Sequence, residues 1–99
     1  MTSAQTRRVP RSGYMAKDLH PIETELQAER AASLGRAGRR IEAALAALGD
    51  DEDSIYDAAT AVWHYMILRE SLRMYDHERA LEVYGVPPRV MAKVGVIRR

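Results

Sequence analysis

The sequence contains no cysteine. This absence excludes disulfide bonds, thiolate zinc sites and cysteine nucleophiles, so the fold must be stabilised by the packing of apolar side chains. The chain also lacks the run of about 20 apolar residues that a membrane-spanning helix needs. Its N-terminus carries charged and polar residues where a secretory signal would have its apolar region. These features predict a cytoplasmic protein without a membrane partner.

The chain also lacks an excess of positive or negative charge: its net charge is only +1. A nearly balanced charge creates no overall field that would attract nucleic acid or anionic lipid. Basic residues nevertheless dominate both ends of the chain, and acidic residues gather between Asp50 and Asp53. Partner binding could explain this distribution, and solvated tails with an acidic helix start explain it equally well.

Apolar residues recur at steps of three and four over residues 19 to 48, which predicts a long amphipathic helix. Pro21 suits the first turn of this helix, and Gly49 supplies its stop. Gly35 and Gly38 lie inside the helix, where each costs about 1 kcal/mol relative to alanine. Together with neighbouring alanines they form a strip of small residues that another helix or a large side chain could approach closely.

The 99 residues fit a single domain, which we place at residues 19 to 95. Residues 1 to 18 are rich in polar and basic side chains, a composition that does not offset the entropy cost of ordering. We therefore predict a flexible basic tail at residues 1 to 18, of which residues 1 to 17 are not needed for folding. A second, short basic tail is predicted at residues 96 to 99.

A second helix is expected after the turn, with Asp51 or Asp53 as its N-cap. The segment from Ala61 to Leu68 is apolar on almost every side, so a single neighbouring helix cannot cover it. Shorter helices are expected from His77 to Tyr84 and from Arg89 to Val94. The predicted fold is all-α: an antiparallel helical hairpin with one or two short C-terminal helices, completed into a bundle by dimerisation.

A candidate interface follows from the wide apolar surface of the second helix and the glycine strip of the first. Packing in the core is the commoner use of such aromatic and methionine side chains, and it remains the alternative. The candidate interface residues are Trp63, Tyr65, Met66, Ile67, Leu68, Gly35 and Gly38.

One charged residue falls on the apolar stripe of the first helix. Arg30 lies between Leu26 and Leu34, and an antiparallel register around the turn places it level with Glu70. A charge on an apolar face needs a partner. We predict a structural ion pair between Arg30 and Glu70, with Arg73 as a competing partner, and a ligand-binding carboxylate as the alternative interpretation of Glu70.

The last third of the sequence resembles a helix-turn-helix core, because Gly85 separates two short apolar segments. In that motif the second helix enters the major groove of DNA. Pro87 and Pro88 occupy the turn where polar residues are usual, so a plain corner of two helices is the competing interpretation. The candidate nucleic-acid contacts are Arg89, Lys93, Arg98 and Arg99.

No sequence pattern points to catalysis or to a bound metal. His20, His64 and His77 are far apart, and none forms the spacing that would place two ligands on one helix face. A glycine-rich phosphate loop and a nucleophile elbow are also absent. We therefore expect no catalytic residue, no metal and no cofactor.

A set of short motifs is distributed along residues 19 to 95. They are Leu19-His20-Pro21-Ile22-Glu23, the run from Ala28 to Arg40, Trp63, Arg69-Glu70, Asp76-His77 and Tyr84-Gly85-Val86-Pro87. With these motifs the chain resembles a family of short bacterial proteins described only as a domain of unknown function. The resemblance implies a compact helical bacterial protein and implies no substrate, cofactor or catalytic residue.

These features favour a non-enzymatic protein–protein interaction module, an adaptor or regulator that forms a homodimer and binds another protein. The alternative is a DNA-binding regulator that uses the helix-turn-helix-like C-terminal corner. Binding to duplex DNA at low and high salt separates the two, because contacts to phosphates impose a steep salt dependence.

Overall fold

A computed structural model describes residues 11 to 97, with side chains described from residue 22 onward. Within that range the chain forms α1 (Arg11–Ala46), α2 (Glu52–Ser71), α3 (His77–Tyr84) and α4 (Pro88–Met91), and it forms no β-strand. A short connection joins α1 to α2, which makes them antiparallel neighbours. The predicted all-α hairpin with short C-terminal helices is confirmed.

The first helix begins at Arg11, earlier than the predicted start near Pro21. Residues 11 to 18, which composition assigned to a flexible tail, are helical, and residues 1 to 10 lie outside the described part of the chain. Pro21 does not mark the start of α1, because a helix can continue through a proline and lose only the hydrogen bond to the carbonyl of residue 17. That folding does not need the first 17 residues stays a prediction.

The chain divides into two compact units, residues 1 to 31 and residues 32 to 99. In the first unit the described residues all belong to α1, and every side chain from Ile22 to Ala31 is exposed. Ile22 and Leu26 lie four positions apart on one face of the helix, so this unit presents an apolar stripe to solvent.

The second unit contains the hydrophobic core. The part of α1 after Ala31 packs against α2, and α4 covers another side of α2. Three alanines of α2 are fully buried, which indicates a close approach between backbones. The buried core residues are Ile41, Ala58, Ala59, Ala61, Val62, Tyr65, Leu81 and Val90.

Of the two predicted N-caps of α2, Asp51 and Asp53, the structure has Asp51 in that position. The Asp51 carboxylate accepts hydrogen bonds from the Ser54 hydroxyl (2.8 Å) and the Ser54 backbone N–H (2.9 Å). These hydrogen bonds hold the pKa of Asp51 below its ordinary value because they favour the charged carboxylate. The Gly49 N–H donates to the Ser54 hydroxyl at 3.0 Å, so the turn and the cap form one hydrogen-bonded unit.

The helix α3 begins after Asp76 and ends at Gly85, which has a left-handed backbone (φ 66°). Glycine adopts this conformation without strain, as the predicted helix stop requires. Asp76 occupies the N-cap position, but its side chain makes no capping hydrogen bond. The last helix, α4, has only four residues and begins with Pro88, directly after its N-cap Pro87; it is therefore shorter than the predicted segment from Arg89 to Val94.

Candidate functional site

The glycine strip of α1 receives a large side chain from α3. A Cβ atom added to Gly38 would overlap the Tyr84 hydroxyl and lie 3.2 Å from Tyr84 Cζ. The sequence indicated that a helix or a large side chain could approach this strip closely, and that side chain is Tyr84 of the same chain. At Gly35 an added Cβ would meet only Arg39 Nη1, at 3.4 Å.

Tyr84 packs edge-to-face against Tyr65, with ring centroids 5.4 Å apart and an interplanar angle of 83°. This geometry is favourable for an aromatic pair. Burial, followed by a hydrogen bond with Tyr65, raises the pKa of Tyr84 above its ordinary value, because both favour the neutral hydroxyl. Tyr65 is itself buried, so it belongs to the core and is not available to a partner.

Arg69 is the buried charged residue of α2, with only 8% of its surface exposed. Its Nη2 donates to the Asp76 carbonyl oxygen at 3.1 Å, and its Nε donates to His77 Nδ1 at 3.4 Å. Its guanidinium carbon also lies 5.8 Å from the centroid of the Tyr65 ring, a cation–π geometry. Arg69 thus joins the end of α2 to the start of α3.

The contact with Arg69 assigns the tautomer of His77. Because Nδ1 accepts a hydrogen bond from Arg69, the ring proton lies on Nε2, which donates to Glu70 Oε2 at 3.0 Å. Glu70 is therefore engaged with α3 inside the second unit. The predicted ion pair of Arg30 with Glu70 stays a prediction. Arg73, the competing partner, lies just after α2 in a left-handed conformation (φ 62°) that is strained for a residue other than glycine.

A groove lies between α2, α3 and α4, and we call it the α3 groove. Its volume is about 810 Å³. Its walls are largely apolar and include two methionines, which are flexible and adapt to different partners. Met91 is 38% exposed, so part of this apolar surface faces solvent. The groove is lined by Met66, His77, Glu78, Leu81, Glu82, Gly85, Val86, Pro87, Pro88 and Met91.

The charged side chains of the α3 groove are acidic. Glu78 and Glu82 are both exposed, and they lie four positions apart on the same face of α3. Among the described residues that line the groove there is no lysine or arginine. The third titratable side chain, His77, already bonds Arg69 and Glu70. The groove therefore combines an apolar floor with a negative rim.

Two residues of the predicted interface share an exposed face of α2. Trp63 and Ile67 are 43% and 47% exposed and lie four positions apart. Trp63 also borders a smaller cavity of about 210 Å³ with His64 and Lys93. The other predicted α2 residues lie elsewhere: Met66 lines the α3 groove, Leu68 is half-buried, and Tyr65 is in the core.

The residues considered for DNA contact are engaged within the chain where the structure describes them. Arg89 Nη1 donates to the Gly49 carbonyl oxygen at 2.8 Å and lies 3.2 Å from the Asp50 carboxylate. The Lys93 ammonium lies 5.7 Å from the centroid of the Tyr56 ring. Arg98 and Arg99 lie outside the described residues.

Sequence reasoning missed most of the α3 groove. It selected Met66 but not Leu81, Val86 or Met91, because these residues converge only when α4 folds back against α2. One signal was present: Glu78 and Glu82 share a helix face next to the apolar Leu81, and two prolines follow this helix.

Two kinds of site are not found in the described part of the chain. Between residues 22 and 97 no three histidine, aspartate or glutamate side chains cluster closely enough to hold a metal ion. None of the helices in the described range has an apolar stretch long enough to cross a membrane.

Comparison with known proteins identifies a family and no individual relative. No match was found among curated proteins or among solved structures. The profile of one family covers residues 10–99, nearly the whole chain, and that family is described only as one of unknown function. The chain therefore belongs to this family of unknown function (DUF6665).

Proposed function

We propose that this protein is a non-enzymatic interaction module, an adaptor or regulator, which binds a segment of another protein in the α3 groove. The observation that carries the proposal is the groove itself: about 810 Å³, with an apolar floor between three helices. Binding grooves for peptides and ligands are concave and mostly apolar, with a few polar groups that fix orientation. The cysteine-free composition supports a cytoplasmic location.

The alternative, DNA binding through the C-terminal corner, has less support. A reading helix needs side chains that reach base edges, and α4 has four residues. The Arg89 guanidinium is hydrogen-bonded to Gly49 and Asp50, in the turn between α1 and α2. Contacts to DNA phosphates by this side chain would have to replace those hydrogen bonds.

A pull-down of host proteins with the full chain as bait tests whether the α3 groove is the binding site. We expect Met91→Lys to lose at least one captured protein, because a charged side chain would fill the apolar groove and could pair with Glu82. The matched control is Val83→Lys, since Val83 is on α3, is 81% exposed and does not line the groove. Mass spectrometry of the captured proteins compares the three chains after circular dichroism has shown equal helicity. Identical sets of captured proteins would overturn the groove as the binding site.

The second part of the proposal is a homodimer that uses the face formed by Trp63 and Ile67. Exposed apolar side chains that share a helix face are covered in many oligomers. Sedimentation at micromolar concentration is expected to report a dimer of the wild-type chain, and Ile67→Lys is expected to shift it to a monomer. Val83→Lys, the same change at an exposed valine of α3, is expected to leave the dimer intact. A monomeric wild-type mass would contradict the homodimer.

A further inference from the structure

We infer that the occupant of the α3 groove is a cationic amphipathic helix from another protein. Its apolar side chains would lie on the groove floor, and its lysines or arginines would face Glu78 and Glu82. This inference rests on the proposed function and adds the chemistry of the partner.

The dimensions of the groove suit a helix. The groove lies between helices, and amphipathic helices bind such grooves through apolar side chains on one face. The eight residues of α3 extend about 12 Å, which matches about two turns of a bound helix. Met66 and Met91 line the groove with side chains that adapt to irregular apolar surfaces.

The charges of the groove select a cationic partner. Glu78 and Glu82 are separated by about 6 Å along α3, the same rise as two basic residues four positions apart on a bound helix. No lysine or arginine of the described groove lining neutralises them. Arg79 lies between them in sequence but borders a different cavity, next to Arg69 and Asp76.

The chain's own exposed apolar helix fits this groove poorly. Residues 22 to 31, which include Ile22 and Leu26, contain Glu23, Glu25 and Glu29 and one basic residue, Arg30. Placing that segment of a second copy against Glu78 and Glu82 would bring like charges together, which is unfavourable. The acidic rim therefore favours a partner of different sequence over a second copy.

Synthetic peptides test the charge of the occupant. The probe is a fluorescent amphipathic peptide of about 18 leucines and lysines, long enough for five turns of helix. The comparison peptide carries glutamate in place of each lysine. Fluorescence anisotropy measures binding of each peptide to the full-length protein at about 50 mM and about 300 mM salt, because screening separates ionic from apolar contributions.

The wild-type protein is expected to bind the lysine peptide in preference to the glutamate peptide. The double variant Glu78→Gln/Glu82→Gln is expected to bind the lysine peptide about five- to tenfold more weakly at low salt, with a smaller difference at high salt. The charge-reversed variant Glu78→Lys/Glu82→Lys is expected to prefer the glutamate peptide. Helical circular dichroism and melting of each variant check that the fold is retained.

A matched control removes two acids elsewhere in the second unit. Glu42 and Asp57 are exposed helix residues that do not line the groove, so Glu42→Gln/Asp57→Asn is expected to leave peptide binding unchanged. An equal loss in this control would mean that the net charge, and not the groove, attracts the peptide, and would overturn the inference. Equal affinity of the wild-type protein for both peptides, or binding of neither, would also overturn it.

Two further readouts separate the possible failures. Displacement of the fluorescent lysine peptide by an unlabelled peptide with the sequence of residues 15 to 32 of this chain would identify a second copy as the occupant and would overturn the inference. If the peptides fail but Met91→Lys still loses a host protein that Val83→Lys retains, the partner's chemistry is wrong and the proposed function stands. If the captured proteins do not depend on the groove, the proposed function fails whatever the peptides do.

Discussion

Gly38→Ala is expected to lower the free energy of unfolding by about 1–3 kcal/mol, the usual cost of overpacking a core. The added methyl group would overlap the Tyr84 hydroxyl and lie 3.2 Å from Tyr84 Cζ. The Tyr84 ring has little freedom to move away, because it packs edge-to-face against the buried Tyr65. Urea unfolding followed by circular dichroism measures the loss. An unchanged or increased stability would contradict the close contact.

The same substitution three positions earlier provides the control. Gly35→Ala meets only the flexible end of Arg39, so the better helix propensity of alanine is expected to raise stability by about 0.5–1 kcal/mol. If the free energy of unfolding rises for Gly35→Ala and falls for Gly38→Ala, the effect of the contact with Tyr84 is separated from the effect of helix propensity. Tyr84→Phe removes the overlapping oxygen, so Gly38→Ala is expected to cost less in the Tyr84→Phe background.

The glycine strip illustrates what the sequence determines and what it leaves open. Helical periodicity identified both glycines as interior positions of α1, and their cost in a helix required a reason for their presence. The sequence could not identify Tyr84 as the neighbour of Gly38, because that contact depends on the angle at which α3 returns to the hairpin. Gly35, which the same pattern selected, has no comparable neighbour in the second unit.

The local ends of the helices were predicted more accurately than the groove. Capping by Asp51 and termination at Gly85 depend on side chains and backbone angles within a few residues, and both were identified. The start of α1 was missed because Pro21 was taken as a first-turn residue, whereas the helix begins at Arg11 and continues through this proline. The α3 groove was missed because Met66, Leu81 and Met91 are far apart in the sequence.

The hydrogen bonds of Arg69 and Glu70 at the end of α2 also could not be predicted from the sequence. Arg69 and Glu70 are adjacent in the chain, and the predicted register selected Glu70, as the partner of Arg30, and not Arg69. In the structure Arg69 is the buried residue of the two, and Glu70 is exposed and bonded to His77. A buried guanidinium needs hydrogen-bond acceptors from a second element, and the loop before α3 supplies one, the Asp76 carbonyl oxygen.

Arg69→Met is expected to lower the free energy of unfolding by about 2–4 kcal/mol, although methionine is apolar and similar in length. The substitution removes the donors to the Asp76 carbonyl oxygen and to His77 Nδ1, and it removes the cation above the Tyr65 ring. These two acceptors lie in a partly buried site, where water replaces the lost hydrogen bonds only in part. Urea unfolding measures the effect.

Arg79→Met is the matched control, because Arg79 is an exposed arginine on α3, and its replacement is expected to change stability by less than about 0.5 kcal/mol. A second readout is independent of stability: nitrogen chemical shifts of the His77 ring report its tautomer. The wild-type ring is expected to carry its proton on Nε2, since Nδ1 accepts from Arg69. Loss of Arg69 removes that constraint, so the Nδ1 tautomer is expected to increase. Equal unfolding free energies for Arg69→Met and Arg79→Met, with an unchanged His77 spectrum, would show that Arg69 does not join α2 to α3.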